Sequence, residues 1–464
     1  MPQSTQRDNN NTKSVIIIGG GTSGLCAAYT LKKHGIRAIL LEAGDRVGGR
    51  LGGDRVDGFL LDEGADFFTA SHDVALRLCE ELGLPLVRSM MKLGWYKSGR
   101  FFTTTPEQTL AGVISDLPAL WNLGLISPRA IRASMKMSRT IKNRPEHLSF
   151  ASNSMVAEID EEESANDYMK RIGVPEDVRL ALRGLLEMTM GELDEMSAAF
   201  ALTFIAQIMM KTDELYVPEE GIGSLTHALA DACGADIRVS SPVKRVVIQN
   251  GGVTGVVVDD GPMEADAVIC TTTTSTTLKI IPDLPEAIQR VFRRVKYARG
   301  CRVVIGLDHR PLPPGWNGVL YPEDETPLLL DRSINLPACA PPGKSTLDLL
   351  VGRDRAEELF PLDDEEITHR MLADVRRHPL PPGSNLPGDA DGLFTRVYRW
   401  PEALCIGPPG ILREIAELRR QNSLNVKNLF LAGDCMRMPS VNGALASGED
   451  AAEEVVALLA SRSA

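Results

Sequence analysis

The run Val15-Ile16-Ile17-Ile18-Gly19-Gly20-Gly21-Thr22-Ser23-Gly24 decides the fold. Its four consecutive β-branched residues disfavour helix and suit a strand buried on both faces of a parallel sheet. The glycines after them match G-x-G-x-x-G, and the stretch from about Ser23 to His34 reads as a helix closed by Gly35. Ala38 to Leu41 is a second strand, so the chain opens as strand, glycine turn, helix, strand. In that context Gly19, Gly21 and Gly24 let the backbone approach a diphosphate. Thr22 and Ser23 open a helix whose unpaired N–H groups and dipole favour an anion. Glu42 ends the second strand, where a carboxylate accepts hydrogen bonds from an adenosine ribose and repels a 2′-phosphate. The expectation is dinucleotide binding.

The second strand runs on into Glu42-Ala43-Gly44-Asp45-Arg46-Val47-Gly48-Gly49-Arg50. This resembles the E-x-x-x-R-x-G-G-R extension of the flavoprotein group that includes protoporphyrinogen oxidase, phytoene desaturase and flavin monoamine oxidase. The resemblance implies FAD, with Ala43, Arg46, Gly49 and Arg50 at the cofactor. Paired glycines bring N–H groups to a diphosphate and the two arginines supply positive charge. Leu61-Asp62-Glu63-Gly64-Ala65-Asp66-Phe67-Phe68 is similar to the group's D-x-G-x-x-x-F segment beside the flavin ring, which implicates Gly64, Ala65, Asp66 and Phe67. Pro218 to Leu225 is similar to P-x-G-G-x-x-x-L, with Glu220 or Ile222 replacing one glycine. Ser241 to Val246 is similar to the segment that holds the adenine, which implicates Val243. Leu431-Ala432-Gly433-Asp434 and Val441-Asn442-Gly443-Ala444 resemble the second FAD motif. By that resemblance Gly433 and Asp434 lie at the ribityl chain or diphosphate, and Val441, Asn442 and Ala444 at the pyrimidine edge of the flavin.

At 464 residues, 43% hydrophobic and 24% charged, the chain is long enough for two folded domains. The fold class implied is α/β, a Rossmann-like FAD-binding domain of the glutathione-reductase type with an inserted α+β substrate domain. The FAD-binding domain is assigned residues 14–90, 212–285 and 422–464. The substrate domain takes 91–211 and 286–421, including a helical subdomain, and 1–13 read as a disordered tail. Pro106 to Gln207 has helical periodicity, and Ile237 to Ile269 reads as a β-meander punctuated by Gly251-Gly252 and Asp260-Gly261. A net charge of -12 argues against a nucleic-acid partner. Eight scattered cysteines without a CxxC pair indicate neither a metal site nor a disulfide framework, and fit a cytoplasmic setting. The uncharged run Met196 to Met210 falls short of the roughly 20 residues a membrane span needs and reads as a buried helix.

For the reaction, the residues singled out are Arg302, Tyr398 and Trp400. Gly300-Cys301-Arg302-Val303-Val304 corresponds to the strand that carries a lysine in amine oxidases of the group, so Arg302 stands in its place. It either orients an anionic or carbonyl substrate or serves as an ion-pair partner. Ser440 stands where those enzymes carry an aromatic residue, and Tyr398-Arg399-Trp400-Pro401-Glu402-Ala403 looks like the R-W-x-x-A stretch of protoporphyrinogen oxidases and desaturases. The resemblance therefore implies removal of two hydrogens from a non-amine, apolar or cyclic small molecule such as a porphyrinogen, a polyene or an alicyclic ketone. The alternative is an FAD-dependent amine oxidase. Trp121 to Met137 mixes apolar residues with Arg129, Arg132 and Lys136, and resembles the region that docks some relatives on membranes. It is either a peripheral membrane contact or a solvated helix roofing the substrate cavity.

Overall fold

The computed structural model describes residues 14–462 apart from 90–92, 98, 104–116, 119, 122–123, 125, 143, 160–161, 191, 212–213, 324–325, 389–390 and 421–425. The expected tail, the start of the helical block and the exact domain boundaries at 90/91, 211/212 and 421/422 lie wholly or partly outside these residues. Among the described residues, five parallel strands form one sheet in the order Asp236–Arg238, Ala38–Leu41, Val15–Ile18, Ala267–Cys270, Leu429–Leu431. Val15–Ile18 sits at its centre and is buried throughout, as its unbroken apolar run requires. The helix spans Thr22–Lys33, with His34 as its C-cap and Gly35 beyond it at φ +72°. It packs against the long C-terminal helix Val441–Ser461 so closely that a Cβ on Gly448 would stand 2.2 Å from the Ser23 carbonyl oxygen.

The meander expected between Ile237 and Ile269 is corrected. Only Arg245–Gln249, Gly252–Val258 and Gly261–Glu264 form an antiparallel sheet. Its two flanking strands leave it for the parallel sheet, because Ala267–Cys270 is apolar and buried on both faces whereas a meander strand shows one face to solvent.

A second large sheet runs in the order Phe394–Ile406, Lys296–Leu307, Ser345–Leu350, Leu328–Asp331, Gly318–Leu320, Leu93–Lys97, Arg100–Thr103. Cys301, Val303, Ile305, Leu347 and Leu349 pack on one face with Ile367, Met371 and Val375 of the helix Asp364–Arg376. The other face looks toward the segment that includes Phe59, Leu60 and Phe67. The helical block contains Pro128–Ile141, Ala165–Ile172, Glu176–Met190 and Ala198–Lys211. Ser127 and Ser164 cap the first two by accepting the N–H groups of Ala130 and Asp167 at 3.0 and 3.1 Å. Phe200, Ala201 and Leu202 are buried, so the first part of the helix Ala198–Lys211 is core, and no described helix is long and apolar enough to cross a membrane.

Candidate active site

The glycine turn leaves the central strand at its C-terminal end. A Cβ on Gly24 would meet the Gly19 carbonyl oxygen at 1.9 Å, so this position is closed by the turn itself. A Cβ on Gly21 would meet nothing within 4 Å, so protein packing does not demand glycine there. The open space suits close approach of a ligand. Gly21 is also the N-cap of the helix and offers no side-chain cap, which leaves the first-turn N–H groups for an anion. Glu42 reaches this turn, accepting the Gly20 N–H at 2.6 Å and the Gly44 N–H at 2.7 Å. The segment before Val243 runs alongside, with Ser241 donating its N–H to the Glu42 carbonyl at 2.8 Å and Ser240 to that of Gly44 at 2.6 Å. Sequence reading missed Thr271, whose hydroxyl donates to the carbonyls of Ile18 and Gly19 at 2.9 and 3.1 Å and so braces the turn from the neighbouring strand.

The two halves of the expected cofactor site meet directly. Arg50 Nη1 donates to Asp434 Oδ2 at 2.8 Å and to the Ala403 carbonyl at 3.1 Å. Burial opposes the Arg50 charge, but Asp434 more than restores it and holds the guanidinium above its ordinary range. Gly433 donates its N–H to Ser447 Oγ at 3.1 Å, and Ala444 lies buried in the first turn of the C-terminal helix. Ser440 caps that helix by accepting the Gly443 N–H at 3.0 Å. The Asn442 side chain is occupied elsewhere: its oxygen accepts the Ala75 N–H at 3.0 Å and its amide donates to Asp73 at 2.7 Å. Only the backbone at Val441 and Asn442 is therefore free of that duty. Arg46 contacts Glu63 and is exposed, and Gly49 packs against Gly21, from whose Cα a Cβ on Gly49 would stand 3.2 Å. These residues fit FAD: an open glycine cradle and uncapped helix for the diphosphate, a carboxylate for the ribose, and a second motif joined to the first through Arg50.

The Leu61 to Phe68 segment is fastened to the second sheet. Arg302 Nη1 forms an ion pair with Asp66 at 2.7 Å and donates to the Gly64 carbonyl at 3.2 Å, and its Nη2 contacts Asp348. Arg302 is thus an ion-pair partner through both Nη atoms, while its buried Nε has no partner among the described residues. Arg332, which sequence reading did not single out, contacts both Asp62 and Asp66. Asp62 also accepts the Ile222 N–H at 3.1 Å; burial raises its carboxyl, with Arg332 pulling the other way. Trp400 Nε1 donates to the Glu63 carbonyl at 3.3 Å. Tyr398 lies directly across from Arg302 on the neighbouring strand, and its buried hydroxyl finds no partner among the described residues. Ala65 and Phe67 alternate, packing on the two flanking cores.

A family model for flavin containing amine oxidoreductases matches residues 22–456. The chain belongs to this family. Coproporphyrinogen III oxidase of Bacillus subtilis (strain 168) is 22% identical over 96% of this chain and 98% of its own length. Polyamine oxidase 5 of Oryza sativa subsp. japonica is 27% identical over 96% of this chain and 88% of its own. Among solved structures, cyclohexylamine oxidase from Brevibacterium oxydans IH-35A superposes with a TM-score of 0.71 at 20% identity, covering 97% of this chain and 99% of that one. Membership makes the chain an FAD-dependent oxidoreductase with a mixed α/β fold. Relatives named for porphyrinogens and for amines match to similar degrees.

His72 lies beside the Leu61 to Phe68 segment, packed on Phe68. Its Nδ1 accepts the Thr69 N–H at 3.1 Å, its ring packs on Phe68 and Phe150, and burial pushes its pKa down to about 4. The unfolded chain therefore binds a proton here before the folded one does, and stability falls as pH drops from the ordinary histidine value of about 6.5 toward 4. The contribution is roughly 2 kcal/mol across that window, allowing for relaxation. Urea unfolding at stepped pH should show it, and His72→Asn should flatten the slope there.

Proposed function

We propose that this enzyme removes two hydrogens from adjacent or conjugated carbons of a non-amine, apolar or cyclic substrate, in the class of a porphyrinogen, a polyene or an alicyclic ketone. The observation that carries this reading is the face of the second sheet. Tyr398 pairs with Arg302, Arg302 with Leu350, Leu350 with Leu328, and Leu320 with Trp95. Directly paired residues share a face. Leu320, Leu328 and Leu330 cluster with Leu93, Trp95 and Leu350. An apolar wall therefore extends from the strand that carries Tyr398 and Trp400, and the Arg302 side chain on it is paired with Asp66 and Asp348.

Two further features support a non-amine. Arg302 is closed on its carboxylates where family amine oxidases carry a lysine, and Ser440 serves as a helix cap where they carry an aromatic ring. FAD, when bound, supplies the hydride acceptor. The chain's part is to hold a C–H bond in place and exclude water. In this reading residues 14–90, 212–285 and 422–464 hold FAD, and the strands of the second sheet belong to the substrate domain. Amine oxidation is the second reading, supported by relatives such as the polyamine oxidase. Anaerobic reduction of the flavin by carbon substrates, set against amines, separates the two.

We also propose that the helix Pro128–Ile141 rests on an anionic lipid surface. Ile131 and Met135 are 50% and 53% exposed one turn apart, and Trp121 nearby is 68% exposed. The helix carries Arg129, Arg132, Lys136 and Arg139 and no acid, in a chain of net charge -12. The protein should sediment with phosphatidylglycerol vesicles and not with phosphatidylcholine vesicles. The triple variant Trp121→Ser, Ile131→Ser, Met135→Ser should stay in the supernatant; equal sedimentation of both proteins would remove this contact.

A further inference from the structure

Asp62, Asp66 and Asp348 meet Arg302 and Arg332 in one cluster, three carboxylates against two guanidiniums, all buried except Asp66, whose side chain is 15% exposed. Asp331, beside Arg332 in the chain, adds another buried carboxylate. One of its oxygens is satisfied by Ser333 and Ser345, and the other has no partner among the described residues. The cluster lies where two parts of the molecule join. Asp62 and Asp66 bracket Glu63, Gly64 and Ala65, while Arg302, Asp348 and Arg332 come from the second sheet and the turn after its Leu328–Asp331 strand. Arg302 grips the Gly64 carbonyl at 3.2 Å, so the charges are tied to the backbone of that segment. Charges withdrawn from water act over longer distances than surface charges do.

We propose that this cluster sets the reduction potential of the bound flavin, its excess of buried carboxylate over guanidinium opposing the negative charge that reduction brings and holding the potential low. The inference rests on the reading that Gly64 to Phe67 lies at the flavin ring. A clamp that matters only for shape and a cluster that matters through charge differ in the sign of their effects. Removing a guanidinium makes the cluster more negative, and removing a carboxylate makes it less so. Loosening the structure moves both variants the same way.

The experiment equilibrates each FAD-loaded protein anaerobically with a redox dye of known potential. Arg332→Gln should lower the potential and Asp348→Asn should raise it. Each shift should be about tenfold in the ratio of oxidised to two-electron-reduced flavin, about 30 mV. Arg332→Lys, which keeps the charge, should stay near the parent. Shifts of the same sign, or none, overturn the proposal. If Arg332→Gln yields no FAD-loaded protein, the other two variants decide: a rise in Asp348→Asn with none in Arg332→Lys supports it, and no rise in Asp348→Asn ends it. The underlying location is checked separately with Ala65→Val, which should alter the visible flavin spectrum. An unaltered spectrum removes the location and the inference with it, whereas an altered spectrum with same-sign potentials removes the charge effect alone.

Discussion

Replacing Glu42 by Ala is expected to strip the protein of FAD during purification. Its carboxylate holds the Gly20 and Gly44 N–H groups at 2.6 and 2.7 Å, which places it at the glycine turn and beside the Ser240–Ser241 backbone. In the proposed FAD site the same oxygens would also accept the ribose hydroxyls. Hydrogen bonds to a charged group are worth about 1.5–3 kcal/mol each. Losing two of them weakens FAD binding by about 10²–10⁴-fold. The fold itself should survive, because Glu42 is half-buried and Gly44 is exposed, so the freed Gly44 N–H can turn to water. Titration of the apoprotein with FAD, followed by flavin fluorescence, measures the change; Glu42→Gln, which keeps one acceptor, should fall between. Full FAD occupancy in Glu42→Ala would falsify the ribose assignment.

The second large effect is on the protein without its cofactor. Arg50→Met removes the partner of Asp434, whose side chain is only 9% exposed, and also the bond to the Ala403 carbonyl. Leaving one member of a buried pair uncompensated costs about 3–5 kcal/mol. The 32% exposure of Arg50 lets water make good part of this, so about 3 kcal/mol of unfolding free energy should be lost. The double variant Arg50→Met, Asp434→Asn should recover much of it, because no charge is then stranded. Denaturant midpoints of the parent, Arg50→Met, Asp434→Asn and double-variant apoproteins test this. A double variant no more stable than Arg50→Met would mean that packing rather than charge joins the two motifs.

What could be read from the sequence was local. Val15 to Ile18, the glycines after it and Glu42 form one unbroken pattern, and each falls where its neighbours in the chain place it. The C-terminal Gly433 and Asp434 were readable by resemblance, and the Arg50–Asp434 contact joins the two ends. The positions missed depend on partners far along the chain. Asp236–Arg238 and Ala267–Cys270 show strand character, but nothing local says that their pairing partners are Ala38–Leu41 and Val15–Ile18. Arg332 meets Asp62 and Asp66 from across the molecule, and no periodicity announces such a pair. A signal was present at Arg302: a charged residue between Cys301 and Val303 in a strand this apolar must have a buried partner. The side-chain engagements of Asn442 and Asp66 were likewise out of reach, since a motif names a position and not the direction its side chain takes.

The most direct test of the account is to mix the FAD-loaded protein anaerobically with a porphyrinogen, a polyene, an alicyclic ketone and a panel of primary and secondary amines, one at a time, and to track the visible flavin absorbance. At least one of the carbon substrates should bleach the flavin while the amines leave it oxidised. Bleaching by amines alone would contradict it, and would show that Arg302 and Ser440 do not exclude an amine from this site.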